Sequence, residues 1–222
     1  KKMSKAIQIS VIIAAKNAEL YIGRCIRSLI NQSLDNDSYE IILINDGSTD
    51  MTHEALKQFM GDIIYIKNKV NIGLPGSLNK GIKKARGQYI VRVDADDWVH
   101  PQFLGFLFYH LNLNVNLDAV ACDYQIVNNK QKVLSTENCE RKPIGCGIMF
   151  KYTHLIEIGL YDKKFLAREE EELIHRFKKK YKVTRIPVPL YRYRRHGNNL
   201  TSKKKIMTKY ANKMKKKYGL NG

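Results

Sequence analysis

Cysteine is sparse in this chain and never paired. Cys25, Cys122, Cys139 and Cys146 are spread over 222 residues with no CxxC spacing and no tight cluster. Neither a zinc site nor a disulfide framework is indicated, and reduced, partly buried thiols are expected. Long apolar runs are missing too: nothing approaches the ~18 residues of a membrane span, and the first residues lack a long apolar stretch ending in a small-residue cleavage site. A cytoplasmic location follows as the expectation. Acidic residues vanish after Glu172, whereas Lys and Arg crowd that same stretch and bring the formal net charge to +18. This asymmetry points to an anionic partner: a nucleotide diphosphate, a phospholipid surface or a nucleic acid. Repeats and Gly/Ser linkers are absent, and the length suits one substantial core.

The first half alternates short β-rich runs with helical spacing, the signature of βαβ units and a mostly parallel sheet. The pattern predicts strands at 8–14, 40–45, 63–67 and 89–94 and helices at 19–31, 50–59 and 74–85, with Ile22, Ile26, Leu29 and Ile30 on one face of the first helix. The second half predicts a helix at 101–113, strands at 119–128 and 145–150, a helix at 169–179, and a strand at 183–193 broken by Pro187 and Pro189. Residues 203–218 place Ile206, Tyr210, Met214 and Tyr218 four apart on a lysine-rich amphipathic helix. Each early strand runs into a polar segment at its carboxyl end, where ligands of open α/β sheets bind.

Asp94-Ala95-Asp96-Asp97 follows an apolar strand, so several carboxylates emerge together beside the crevice. Unpaired they would raise one another's pKa, and a hard divalent cation completed by diphosphate oxygens removes that problem. The alternative is an acidic loop capping the helix near Pro101. Asp46 opens a turn, Asp46-Gly47-Ser48-Thr49-Asp50, as an acceptor suited to a base N–H or a ribose hydroxyl, and Asn79 lies one turn into the third helix. Among Glu169, Glu170, Glu171 and Glu172, only Glu170 shares the inward stripe of Leu166, Leu173, Ile174 and Phe177. Glu171 and Glu172 fall four residues before His175 and Arg176, as in solvated salt links. Burial and Glu169 would raise the Glu170 pKa, as a general base near neutrality requires. Arg192, Arg194, Arg195 and His196, ahead of Gly197-Asn198-Asn199 and Thr201, offer phosphate and metal contacts.

In sequence order these segments resemble the family 2 inverting glycosyltransferases of the GT-A fold. The resemblance runs from Ile9 to Thr201 and rests on Ser10-Val11-Ile12-Ile13 with Asn17, the Asp-Gly-Ser turn, Asn71-x-Gly73 with Asn79-x-Gly81, Asp94-x-Asp96-Asp97, Gly159-Leu160-Tyr161-Asp162 with Glu169-Glu170, and Arg194-x-His196. It implies an α/β GT-A fold with a mostly parallel central sheet flanked by helices. Residues 1–202 would form one catalytic domain, with a nucleotide-binding half at about 7–100 and an acceptor half at about 101–202, followed by a basic helix or tail at 203–222. It further implies Glu170 as catalytic base, Asp96 and His196 as metal contacts, and Ala14, Lys16, Asn17, Asp46, Asn79, Asp94 and Asp97 around the nucleotide-sugar. The implied cofactor is Mn²⁺ or Mg²⁺, the donor a UDP-sugar, and the acceptor a glycan or lipid-linked hydroxyl in surface polysaccharide or glycoconjugate synthesis. Three positions depart from the family pattern: Ala14 and Lys16 replace a Pro or Thr and an aromatic, and Glu170 replaces Asp.

The rival enzyme reading, a sugar nucleotidyltransferase, wants a Gly-rich triphosphate loop after the first strand, and Ala14-Ala15-Lys16-Asn17-Ala18 contains no glycine. A non-enzymatic anionic-surface module would explain the basic tail but leaves Asp46, the Asp94 cluster and Glu170 without a role. No nucleic-acid partner is expected. The tail suits peripheral attachment to an anionic inner membrane face.

Overall fold

Residues Ile9–Ala15 form a central strand, β1, buried almost throughout because parallel neighbours pair on both of its edges and helices cover its faces. A computed structural model of the chain describes residues 6–197 and 204–219; Asn198, Asn199, Thr201 and Lys203 lie outside the described residues. The further strands are β2 (Tyr39–Asn45), β3 (Ile64–Lys67), β4 (Tyr89–Arg92), β5 (Trp98–Val99), β6 (Ala119–Val127), β7 (Val133–Glu137), β8 (Ile148–Lys151) and β9 (Val183–Arg194). The helices are α1 (Ile22–Ile30), α2 (Thr52–Leu56), α3 (Leu74–Ile82), α4 (Phe103–Leu113), α5 (Tyr152–Glu157), α6 (Glu169–Phe177) and α7 (Lys204–Tyr218).

They build one sheet in the order β3-β2-β1-β4-β8-β6-β9-β5, with β7 on β6. The first four strands are parallel, and β8 runs against both β4 and β6, so β6 and β9 return to the direction of β1. The expected mostly parallel α/β sheet is therefore observed. Helix α3 lies so close to it that a Cβ on Gly81 would sit 2.6 Å from Ile44 Cδ1 and 2.8 Å from Ile12 Cγ2. That contact accounts for the glycine of the Asn79-x-Gly81 pair.

Several boundaries differ from expectation. Helix α1 starts at Ile22 rather than 19 because residues 17–21 are laced to the turn after β2: Asn17 Oδ1 accepts from Thr49 N, and Glu19 Oε2 from Met51 N. Pro187 and Pro189 do not break β9; a register shift opposite Cys122 to Tyr124 accommodates them. Strand β7 and helix α5 are additions that short, weakly periodic segments did not reveal. All four cysteines are buried and free, and burial pushes the Cys122 and Cys139 thiols up to about 12. No helix among the described residues is long and apolar enough to cross a membrane.

The basic helix α7 docks on the body. Tyr210 and Met214 pack with Phe165 and Ala167 in a small second core, flanked by Met207 and Tyr218. Ile206, expected in that stripe, is 36% exposed, so the docking face is rotated by one residue toward Met207.

At the amino-terminal edge of the sheet, opposite the polar strand ends, Gly87 N donates to Ser10 Oγ (2.9 Å) and Ser10 Oγ donates to Glu40 Oε1 (2.6 Å). A Cβ on Gly87 would lie 2.5 Å from Ser10 N and 2.6 Å from Ile9 C, against backbone that cannot turn aside. Gly87→Ala is therefore expected to destabilise the fold by about 3 kcal/mol, in the upper range for overpacking. A lower urea midpoint at unchanged m-value would register it.

Candidate active site

Strand order reverses between β1 and β4, because β2 and β3 extend from one side of β1 and β4 begins the other side. In open α/β sheets the ligand crevice opens at the carboxyl ends of two such strands. A cleft of about 720 Å³ lies there. Ala14, Lys16 and Asn17 line it from the end of β1, Asp94 and Asp96 from the end of β4, Glu170 from α6 and His196 from the end of β9. Seven of the ten expected site residues thus share one cavity.

The acidic loop is held from below by β9. The Tyr191 hydroxyl donates to Asp97 Oδ2 (2.8 Å) and accepts from Asp94 N (3.0 Å), while Arg194 N donates to Asp97 Oδ1 (2.7 Å). Asp97 is consequently buried behind the cleft, not in its lining, and burial together with Asp96 and Asp94 pushes its carboxyl well up. Asp96 faces the cleft beside His196, whose Nε2 lies 2.9 Å from its Oδ2. The imidazole is stacked on Tyr21 at 5.0 Å.

Beneath both sits Arg92, 8% exposed. Its Nε and Nη2 donate to the two oxygens of Asp94 (2.6 and 3.2 Å), and its Nη1 donates to Glu169 Oε1 (3.0 Å). Burial alone would lower the Arg92 pKa; Asp94 and Glu169 outweigh it and keep the guanidinium charged. Glu170, the next residue, forms no side-chain hydrogen bond among the described residues. Burial first and Glu169 second push its carboxyl up to about 8, with Arg92 opposing them.

Three expected contacts are corrected. Asn79 does not reach the cleft: its Nδ2 donates to the Tyr161 carbonyl (2.8 Å) and its Oδ1 accepts from Tyr161 N (3.0 Å), so the amide staples α3 to the segment before α6. Asp46 is 3% exposed and outside the lining; its Oδ1 accepts from Asn68 Nδ2 and Ile72 N and orders the 68–72 loop. Asp97 supports the loop as described. The helix-face reading is corrected in part as well. Glu171 pairs with Arg168 (2.6 Å) and not His175, and the Glu172–Arg176 pair forms with Glu172 fully buried instead of solvated.

Sequence reasoning missed Arg92, Gly145, Tyr21 and Arg168. Arg92 carried a signal, a lone cation inside an otherwise apolar strand, which demands a buried partner. Gly145 carried none. A Cβ there would meet Glu170 Cβ at 2.6 Å and Arg92 Nη1 at 3.2 Å, so the glycine is what lets the 143–146 segment close over α6.

Among the described residues, Asp94, Asp97 and Cys146 place ligand atoms within 4.8 Å of one another. That trio suits a hard cation poorly: both Asp94 oxygens accept from Arg92, both Asp97 oxygens are engaged by β9, and burial pushes the Cys146 thiol well up. Asp96 and His196 fit Mg²⁺ or Mn²⁺ better, offering oxygen and imidazole nitrogen at the cleft wall. Burial and Asp94 push the Asp96 carboxyl up, a repulsion that a cation relieves.

The sequence model described as Glycosyl transferase family 2 matches residues 10–170. An uncharacterized glycosyltransferase of Haemophilus influenzae is 32% identical over 219 residues, covering 87% of this chain and 67% of that protein. Two solved structures share the fold at low identity. S. aureus TarS 1-349 in complex with UDP-GlcNAc superposes with a TM-score of 0.74 at 17% identity, over 89% of this chain and 61% of that one. Mannosyltransferase PcManGT from Pyrobaculum calidifontis, in complex with GDP-Man and Mn2+, gives 0.75 at 15% identity, over 99% and 66%. The chain spans a third or less of three further relatives.

Removing Arg92 would leave Asp94 and Glu169 buried without a counter-charge. Arg92→Met is expected to destabilise the fold by about 3–5 kcal/mol, the range for breaking a buried ion pair from one side. Pairing it with Glu169→Met should recover part of the loss, and a double-mutant cycle in urea reads the coupling. Additive losses would mean that the two groups do not interact.

Proposed function

The chain belongs to glycosyl transferase family 2, and on that premise we propose that it moves a sugar from a nucleotide-diphosphate sugar to an acceptor hydroxyl with inversion at the anomeric carbon. The observation that carries this reading is the cleft itself, where a Glu170 carboxyl with no hydrogen-bond partner among the described residues shares one cavity with Asp94, Asp96 and His196. Glu170 takes the proton of the acceptor hydroxyl as its oxygen bonds to the anomeric carbon, and the bond to the diphosphate breaks on the opposite face. Such a base contributes roughly 10²- to 10⁴-fold. Ala14, Lys16 and Asn17, at the end of β1, would meet the nucleotide, and Asp94 its ribose side. Asp96 and His196 would hold Mn²⁺ or Mg²⁺, which when bound stabilises charge on the leaving diphosphate.

A UDP-sugar, carrying a hexosyl or N-acetylhexosaminyl group, is the donor we favour, supported by TarS in complex with UDP and UDP-GlcNAc. The manganese in the PcManGT complex supports the metal. The acceptor class is a glycan or a lipid-linked saccharide in polysaccharide synthesis.

Glu170→Gln is expected to keep Mn²⁺-dependent UDP binding and lose at least 100-fold in kcat, while Asp96→Ala loses the metal-dependent binding as well. In the parent, turnover should rise with pH through about 8, since the base works deprotonated. Stability runs the other way. A carboxyl whose pKa is raised from 4.5 in the unfolded chain to about 8 destabilises the fold increasingly as pH rises between those values. Glu170→Gln should therefore melt higher than the parent at pH 9 and equally at pH 4. Full activity in Glu170→Gln would remove it as the base.

The outer face of α7 exposes Lys204, Lys205, Lys209, Lys215 and Lys216. With its apolar stripe spent on docking, attachment to an anionic membrane surface would be electrostatic, at about 1 kcal/mol per lysine. Sedimentation with phosphatidylserine vesicles should then fall steeply with salt and with Lys205→Gln, Lys209→Gln and Lys216→Gln combined. Equal binding to phosphatidylcholine vesicles, or none to either, would refute this attachment.

A further inference from the structure

Four consecutive carboxylates open α6, and three of them are tethered. Arg92 holds Glu169; Arg168 holds Glu171 (2.6 Å); Arg176, Lys217 and Tyr218 hold Glu172 at 2.5 to 2.6 Å. Glu170 alone is left without a partner among the described residues. Two of these three tethers lead to α7. Arg168 Nε donates to the Met207 carbonyl (3.1 Å) in the first turn of α7, and Lys217 and Tyr218 lie in its last. Lys217 also binds Asp162 (2.9 Å), at the start of the loop that leads into α6. Met207 itself lines the cleft beside Arg168 and Glu170.

Arg168 stands immediately before α6 at φ 55° and ψ 25°. This left-handed conformation is natural for glycine and strained for arginine. The side chain does not cap the helix it precedes. It turns instead to the α7 carbonyl and to Glu171, so the strained residue is occupied in joining two helices at the edge of the cleft.

We propose that α7 is part of the catalytic unit and that Arg168 is the positioning residue through which it fixes the first turn of α6, and with it the Glu170 carboxylate, against Asp94 and Asp96. The inference rests on Glu170 being the base. The basic helix then has two faces with two tasks, and cutting it away would cost turnover on any acceptor, soluble or membrane-bound.

Arg168→Gly separates positioning from folding, because glycine relieves the left-handed backbone while deleting the guanidinium. The expected result is a thermal midpoint equal to or above the parent's, UDP affinity with Mn²⁺ within twofold, and UDP release from UDP-glucose or UDP-N-acetylglucosamine at least tenfold slower in kcat. Millimolar guanidinium ion should restore part of that rate. Hydrogen exchange at the amides of residues 169–173 probes the coupling independently of turnover: faster exchange in Arg168→Gly supports it, and unchanged exchange overturns it. Parent-like kcat, or a loss matched by weaker UDP binding and a lower midpoint, also overturns it. Glu170→Gln is assayed alongside. Activity in that variant sinks the base assignment, whereas an inactive Glu170→Gln with a fully active Arg168→Gly sinks the coupling alone.

Discussion

A single buried guanidinium joins the two halves of the site. Arg92 leaves the last position of β4 and binds Asp94 in the acidic loop and Glu169 on α6, so that loop and the helix that carries Glu170 are fixed to the same group. One positive charge facing two carboxylates leaves the floor of the cleft net negative. Asp96, Asp97 and Glu170 stand around that floor, and each is pushed above the ordinary carboxylate range by burial and by its acidic neighbours. Burial is the largest cause for each, acidic neighbours come next, and Arg92 opposes the rise at Glu170. A buried ion pair is weak evidence of stability gained; here its structural yield is registry, holding elements 77 residues apart in sequence at contact distance.

The nucleotide half of the fold was legible because its signals are periodic. Strands buried on both faces read as continuous apolar runs, as in Ile9–Ala15 and Tyr39–Asn45, and polar residues at their carboxyl ends gather by topology alone. Asp94, Asp96 and Lys16 were placed beside the crevice by that route, and His196 by the Arg194-x-His196 segment of the resemblance; all four line the cleft. Asn79 and Asp46 lie outside the cleft lining, and nothing local distinguishes a polar side chain that meets a ligand from one that satisfies a distant group. The partner of Asn79 lies 82 residues away. The helix-face argument aimed Glu170 alone inward, whereas Glu169, Glu170 and Glu171 all line the cleft and Glu169 is buried, because that argument treated α6 as a surface helix with one buried side. The docking of α7 covers the other side, and this is why Glu172 is fully buried where solvation was expected.

That second covering also changes what the basic tail means. A stripe of four residues on a lysine-rich helix is equally compatible with a bilayer and with a protein surface. The geometry assigns it to Phe165 and Ala167, with Lys213 and Lys217 stacked over the Phe165 ring. The remaining lysines face outward, so the segment divides its chemistry by face: apolar and charge-paired inward, unneutralised outward.

The outcome is a molecule whose charge is inverted between surface and site. The exterior carries an excess of cations, whereas the cleft gathers Asp94, Asp96, Glu169 and Glu170 around its floor. On the function proposed, an anionic diphosphate is drawn toward the surface by the long-range field, an attraction that weakens as salt rises. It then meets carboxylates of its own sign at close quarters. Lys16 offsets this at the rim but not at the floor, where Arg92 is already committed to Asp94 and Glu169. On the function proposed, the diphosphate and a divalent cation bind the floor together, each raising the affinity for the other by the same factor because linkage is reciprocal. Burial first and the Glu169 charge second push the Glu170 carboxyl up to about 8. On the same proposal, positive charge beside Asp96 lowers the cost of the Glu170 carboxylate, so that loading the donor and arming the proposed base follow from one electrostatic arrangement.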